Sequence, residues 1–194
     1  MPTNILFSSG LLSPNSTCIE LGSGIAGIVP LLLGSKISRY TATDQDYAMK
    51  LLRQNITSNL EAVFPATKKG GRSKKKAQMS SVDSDRIITS VLDWEEDSVS
   101  HLRPVDIVIA CDCIYNSHLI EPLNTTCASI CKLNTDAAKP TLCLIAQQVR
   151  TPEIFESWLK SFHEKFEVWQ IPDKFLIDEL RENSGFVVHV GVAR

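Results

Sequence analysis

The apolar positions of this chain alternate between two periods. Short runs rich in β-branched residues ("STCIEL", "SRYTATD", "RIITSVL", "VDIVIACD" and "TLCLIAQQV") are separated by stretches whose apolar residues recur every three or four places. "IAGIVPLLLGS" predicts the helix after the first strand, with Pro30 near its first turn, where a missing N–H costs little. "DYAMKLLRQNITSNLEAVF" predicts the second helix, with Ala48, Leu51, Leu52, Ile56 and Leu60 along one side. "HLIEPLNTTCASICKL" predicts a third. "TPEIFESWLKSF" predicts a fourth, opened by Thr151 as N-cap and Pro152 at the first helical position. "KFEVWQI" and "GFVVHVGVA" end the series as strands, with a short helix expected around "FLIDELREN".

Such alternation predicts an α/β fold: a doubly wound, mostly parallel seven-stranded sheet with helices on both faces. "VDIVIACD" is almost continuously apolar, as a central strand buried on both faces should be. The short connection between the last two strands predicts one antiparallel edge strand. Residues 1–194 read as one domain of ordinary size. Between the second helix and the third strand, "PATKKGGRSKKKAQMSSVDSD" is polar and basic, and reads as a flexible loop over about residues 65–85.

Composition narrows the class. A net charge of -2 argues against a polyanionic partner, so direct nucleic-acid binding is not expected. The run "KKGGRSKKK" reads first as a solvated loop, with a nuclear signal, a nucleic-acid contact or a ribosome-docking tether as alternatives. Six cysteines without a secretory signal fit a reducing compartment, and no apolar stretch nears the roughly 18 residues of a membrane span. The expectation is a soluble, cytoplasmic protein, with a nuclear pool as the variant, and a monomer away from membranes. Cys111-x-Cys113 and Cys127-xxx-Cys131 lack matching histidines, so no metal is expected. His101, His118, His163 and His189 show no ligand or nucleophile spacing and need no catalytic role.

The strand ends carry the candidate chemistry, because ligands of open α/β sheets lie beyond the carboxyl ends of the strands. After the first strand, Gly22, Gly24 and Gly27 form a G-x-G-x-x-G loop, a pattern often taken for a dinucleotide fingerprint. Glu20 stands two places before it. A carboxylate there would repel a pyrophosphate but favour a ligand bearing an ammonium and a sulfonium, which tilts the loop towards S-adenosyl-L-methionine (SAM). Its plainer alternative is an acid that caps loop amides. After the second strand, Asp44 could accept both ribose hydroxyls of SAM or NAD, or cap the next helix together with Asp46. In "LDWEED", Asp93 could accept from an adenine amino group with Trp94 beside the ring, or the two could form a surface turn. After the fourth strand, Asp112 lies where a transferred methyl would sit, with Tyr115 about a turn further on. Gln147 and Gln148 end the fifth strand facing the crevice, to touch substrate or to satisfy backbone groups.

Taken together, "ELGSGIAGI", "TDQD", "LDWEED", "IACDCIYN", "IAQQVR" and "GFVVHVGV" resemble the class I, seven-β-strand SAM-dependent methyltransferases. More narrowly they resemble the methyltransferase-like protein-lysine methyltransferases, whose hallmark is D-x-x-Y after strand four, and nearest its fungal members that act on ribosomal proteins. The resemblance spans Asn15 to Arg194. It implies that Gly22, Ser23 and Gly24 line the methionine part of SAM, that Asp44 binds the ribose, and that Asp93 and Trp94 border the adenine. It implies that Ala110 and Cys111 lie beneath the cofactor, and that Asp112 and Tyr115 orient a lysine amine. Related amide and nucleobase N-methyltransferases carry N-P-P-Y there, so an aspartate points to an aliphatic amine.

The same resemblance implies an N-terminal segment with a tryptophan that covers the cofactor. Only residues 1–15 precede the first strand here, and they hold no tryptophan, so that segment is expected to be missing. Two other classes stay open: a catalytically silent SAM-fold binding module, and an NAD-dependent oxidoreductase, which Glu20 and D-x-x-Y disfavour.

Overall fold

The computed structural model describes residues 7, 10–64 and 85–194. The basic stretch expected as a flexible loop lies outside the described residues but for Asp85. Seven strands form one sheet: β1 (Thr17–Leu21), β2 (Arg39–Asp44), β3 (Ile87–Val91), β4 (Ile107–Cys111), β5 (Leu142–Gln148), β6 (Phe166–Gln170) and β7 (Phe186–Ala193). Their spatial order is β3-β2-β1-β4-β5-β7-β6. All pairings from β3 to β5 are parallel, and β7 is antiparallel to both of its neighbours.

The antiparallel strand was expected at the edge, and the structure corrects its place. β7 lies one position in, and the edge strand is β6. The crossover after β5 sets β6 down one strand-width away, parallel to β5. The turn-rich stretch after β6, two 3-10 turns at Asp173–Phe175 and Asp178–Leu180 rather than one short helix, then brings β7 back into the gap.

Among the described residues, four α-helices cover the sheet: α1 (Ile28–Gly34), α2 (Asp46–Val63), α3 (Ile120–Cys131) and α4 (Pro152–Lys165). α3 and α4 pack on one face, where Ile19, Leu21, Val108, Ala110, Cys143 and Ile145 meet Trp158 and Phe162. α1 and α2 cover the opposite face over Cys18, Tyr40, Ala42, Ile107 and Ile109. In α2 the buried stripe is Ala48, Met49, Leu52 and Ile56, whereas Leu51 turns outward and Leu60 is half-buried. α4 starts where Thr151 and Pro152 predict, although the Thr151 side chain makes no cap bond.

The chain leaves β1 towards β2 on one side and reaches β4 on the other, so the order of strand addition reverses between β1 and β4 while the strands stay parallel. That switch point opens a crevice above the carboxyl ends of both strands.

Candidate active site

The glycine loop is built by the ends of β1 and β2 together. Ser23 N–H donates to the Thr43 carbonyl (2.9 Å), and Thr43 Oγ1 donates to the Glu20 carbonyl (2.7 Å). Gly24 N–H donates to Asp44 Oδ2 (2.7 Å), while Gln45 N–H takes Asp44 Oδ1 (2.8 Å). From α2, Asn55 Nδ2 donates to the Ile25 carbonyl (2.8 Å). Gly22 and Gly24 both adopt left-handed backbone, which L side chains resist.

On the other wall, β4 ends in the segment Asp112–Tyr115. Asp112 N–H continues the ladder by donating to the Ala146 carbonyl (2.7 Å). Its φ of 58° is left-handed, a conformation that aspartate tolerates better than most residues, and it turns the side chain towards the crevice mouth. Cys113 Sγ donates to the Leu21 carbonyl (3.3 Å), and Gln147 Nε2 donates to the Ile114 carbonyl (2.6 Å). Tyr115 is thus carried on a clamped turn and is 63% exposed, and partial burial, with the nearby Tyr47 next, pushes its phenol pKa up.

Between these walls lies a cleft of about 380 Å³, within the range of small-molecule sites. Its lining includes Gly22, Ser23, Gly24, Asp44, Asp93, Trp94, Cys111, Asp112 and Tyr115, nine of the eleven residues expected at the site. The other two lie behind it. Ala110 is fully buried and faces the α3–α4 core, so Cys111 alone of that pair borders the cleft. Glu20 is 2% exposed on the α1–α2 side of β1, beneath the loop, where its Oε2 accepts from Ser23 Oγ (2.7 Å). Burial raises its carboxyl pKa to about 7 against the opposing Ser23 bond, and the Asp44 charge adds to the rise. The Tyr40 hydroxyl beside it closes no bond of ordinary geometry among the described residues.

Asp93 is tied into its turn, accepting from Glu95 N–H (2.9 Å) and from Gln45 Nε2 (3.0 Å). Gln45, Tyr47 and Leu119 also line the cleft, though none of them was expected at the site. Gln45 follows Asp44 directly, and Tyr47 lies in the first turn of the helix leaving β2, so proximity to a marked strand end is the one signal that could have found them. Gln147 is buried and spends its amide on the D-x-x-Y turn, which is the backbone-satisfying reading of that residue. Gln148 approaches Asp112 only through its backbone N–H, at 3.4 Å from Oδ1. No group of His, Cys, Asp and Glu among the described residues is arranged to hold a metal ion, and no described helix is long and apolar enough to cross a membrane.

The charged side chains lining the cleft are Asp44, Asp93 and Asp112, with no lysine, arginine or histidine among the lining residues. Asp112 is paired with Arg150 from outside the lining, but Asp44 and Asp93 still leave the cleft acidic, so the lining suits a ligand carrying positive charge better than a pyrophosphate.

Residues 72–165 match a family model described as lysine methyltransferase. The Ribosomal lysine N-methyltransferase 5 of Zygosaccharomyces rouxii is 28% identical over 162 residues, covering 76% of this chain and 51% of its own length. That of Eremothecium gossypii is 31% identical over 154 residues, covering 73% and 47%. The chain thus spans about half the length of these curated relatives. Among solved structures, a methyltransferase from Pyrococcus furiosus superposes with a TM-score of 0.61 at 11% identity, over 98% of this chain and 82% of that one. The N-methyltransferase NodS from Bradyrhizobium japonicum, in complex with S-adenosyl-L-homocysteine, gives 0.57 at 11% identity over 99% and 83%. The chain has the class I methyltransferase fold, and the match to the lysine methyltransferase family model spans the residues that include Asp93, Asp112 and Tyr115.

Proposed function

We propose that this chain is the catalytic region of a SAM-dependent protein-lysine N-methyltransferase that acts on a ribosomal or other translation-related protein. The observation that carries the reading is Asp112. It is held in left-handed backbone at the end of β4, beside Tyr115, in a cleft whose charged lining is wholly acidic.

The cofactor-facing residues fit the task. Gly22, Ser23 and Gly24 would hold the methionine part, with Glu20 acting through Ser23 rather than by contact. Asp44 keeps unused lone pairs for the ribose hydroxyls, because each of its oxygens accepts a single backbone N–H. Trp94 and Asp93, which line the cleft, would flank the adenine. Bound there, SAM would supply a methyl group from its sulfonium, the carbon–sulfur bond giving its electron pair to sulfur as the amine nitrogen bonds the carbon.

A free lysine has a pKa near 10.4, so only on the order of one in a thousand is neutral and nucleophilic at pH 7. Asp112 attracts the ammonium, then holds one N–H of the neutral amine so that the lone pair faces the methyl group. The released proton reaches bulk water through the open mouth beside Tyr115. The Tyr115 ring offers its π-face to a methylated ammonium. The setting we propose is the cytoplasm, with the protein acting as a monomer.

The reading predicts that Asp112→Ala abolishes methyl transfer to lysine while calorimetric affinity for S-adenosylhomocysteine stays near that of the wild type. Turnover retained in that variant would remove Asp112 from its role. Stabilisation by NAD but not by S-adenosylhomocysteine would overturn the methyltransferase reading itself.

A further inference from the structure

Asp112 does not face the cleft alone. Arg150, two residues beyond the end of β5, meets it in a fork: Nη1 donates to Oδ1 at 2.7 Å and Nη2 to Oδ2 at 2.6 Å. The Gln148 N–H adds a long third contact to Oδ1. Each carboxylate oxygen has two lone pairs, so Oδ2 retains one acceptor position and Oδ1 is nearly saturated. Both side chains are close to half exposed, so the pair adds little to stability. Its consequence is chemical: it fixes the plane of the carboxylate and places a permanent positive charge beside the position of the substrate amine.

We propose that Arg150 is a positioning residue for methyl transfer: it holds Asp112 so that one lone pair of Oδ2 receives the amine, and its charge favours the neutral amine over the ammonium. This rests on the lysine reading of the site. An unpaired Asp112 would bind the ammonium tightly and hold its proton on, leaving a well-bound but unreactive substrate. The guanidinium offsets that charge. It is suited to the part because it stays protonated at every working pH and its fork matches the carboxylate.

Other titratable groups around the amine position do not reproduce the effect. Tyr115 and Cys111 flank Asp112, but burial raises both, the thiol to about 12, so neither titrates in the working range. Asp44 and Asp93 line the cleft from β2 and β3, and Tyr47 from α2. None of these carries a positive charge, and no cation among the described residues lines the cleft itself.

The test is the single-turnover rate of lysine methylation against pH, on purified ribosomal proteins with radiolabelled SAM, for the wild type, Arg150→Ala and Arg150→Lys. The rising limb reports ionisation of the bound amine. In Arg150→Ala the limb should move up by about one pH unit or more, as expected for loss of a neighbouring charge. The rate near pH 7 should then drop at least about tenfold and recover only in part at high pH, to a plateau below that of the wild type, because the carboxylate has lost its fork. Arg150→Lys should keep the limb near its wild-type position with a lower plateau, because it supplies charge without the fork. S-adenosylhomocysteine affinity should be unchanged in both, since Arg150 does not line the cleft.

Arg150→Ala with the wild-type limb would overturn the proposal. So would a plateau equal to or above that of the wild type, which would make the guanidinium a mere competitor of the amine. A wild type that labels no lysine at any pH would sink the lysine reading and this inference with it. An active wild type with indifferent variants would sink the role of Arg150 alone.

Discussion

Gly22 and Gly24 share left-handed backbone, with φ of +67° and +63°, yet differ in what lies beside them. A Cβ on Gly22 would lie 2.7 Å from Cys113 Sγ and 3.2 Å from the Trp94 ring, whereas one on Gly24 would meet nothing within 4 Å. Gly24→Ala therefore pays only backbone strain, about 1–2 kcal/mol. Gly22→Ala adds overpacking of about 1–3 kcal/mol and pushes on two cleft-lining side chains. Thermal melts should show the larger loss for Gly22→Ala, and equal losses would mean that Cys113 and Trp94 move aside freely. These glycines were legible in sequence because a strand end followed by G-x-G implies close backbone approach. Glu20 was legible as an acid near the loop but not as a buried one. Its burial follows from strand alternation, which turns it to the α1–α2 face of a strand covered on both sides. Arg150 was not legible as a partner of Asp112, because the two meet across neighbouring strand ends, 38 residues apart in sequence.

The contact between α3 and α4 depends on a polar residue that periodicity does not explain. Asn124 is fully buried, accepts from Trp158 Nε1 (3.0 Å) and donates to Ser161 Oγ (3.0 Å). Asn124→Leu fills the space but leaves the indole N–H buried without a partner, at a cost of about 1–3 kcal/mol. In Asn124→Leu with Trp158→Phe, both partners are apolar and much of that loss should return. Urea unfolding of the two singles and the double tests this, and purely additive losses would mean that the hydrogen bond contributes nothing specific. The apolar period located both helices but could not indicate a buried asparagine, because one polar residue inside an amphipathic stripe leaves the period unchanged. The same limit applies to the sheet. Strand identities follow from local pattern, whereas the place of β7 between β5 and β6 depends on where the α4 crossover sets β6 down.

At the scale of the whole molecule, two buried titratable groups on opposite faces of the sheet set opposing pH dependences. Glu20 lies on the α1–α2 side, and its carboxyl is raised from 4.5 to about 7, chiefly by burial. Its neutral form suits the fold, so the stability it contributes is full below pH 4.5 and is lost as pH rises through about 7. His189 lies on the α3–α4 side against the Phe155 and Trp158 rings, with Nδ1 unpartnered among the described residues. Burial, and then the nearby His163 charge, lowers it from 6.5 to about 4. Its contribution is full above pH 6.5 and is lost as pH falls through about 4. Each shift corresponds to about 3 kcal/mol, and their slopes oppose each other wherever the two windows overlap. Asp106 acts only below this overlap: burial raises its pKa, but bonds from Lys139 and Thr17 outweigh that and hold it under 3.8. Wild-type stability should therefore be nearly flat between about pH 4.5 and 6.5. His189→Phe, which keeps the aromatic packing, should unmask Glu20 and make stability fall with rising pH. Glu20→Gln, which still accepts from Ser23, should unmask His189 and make stability rise with pH over the same range. The slopes should approach about 1.4 kcal/mol per pH unit, read from urea midpoints, with opposite signs in the two variants. The groups lie on opposite faces of the sheet and share no partner, so the double variant should be flat again, and a residual slope in it would assign the pH dependence to other groups.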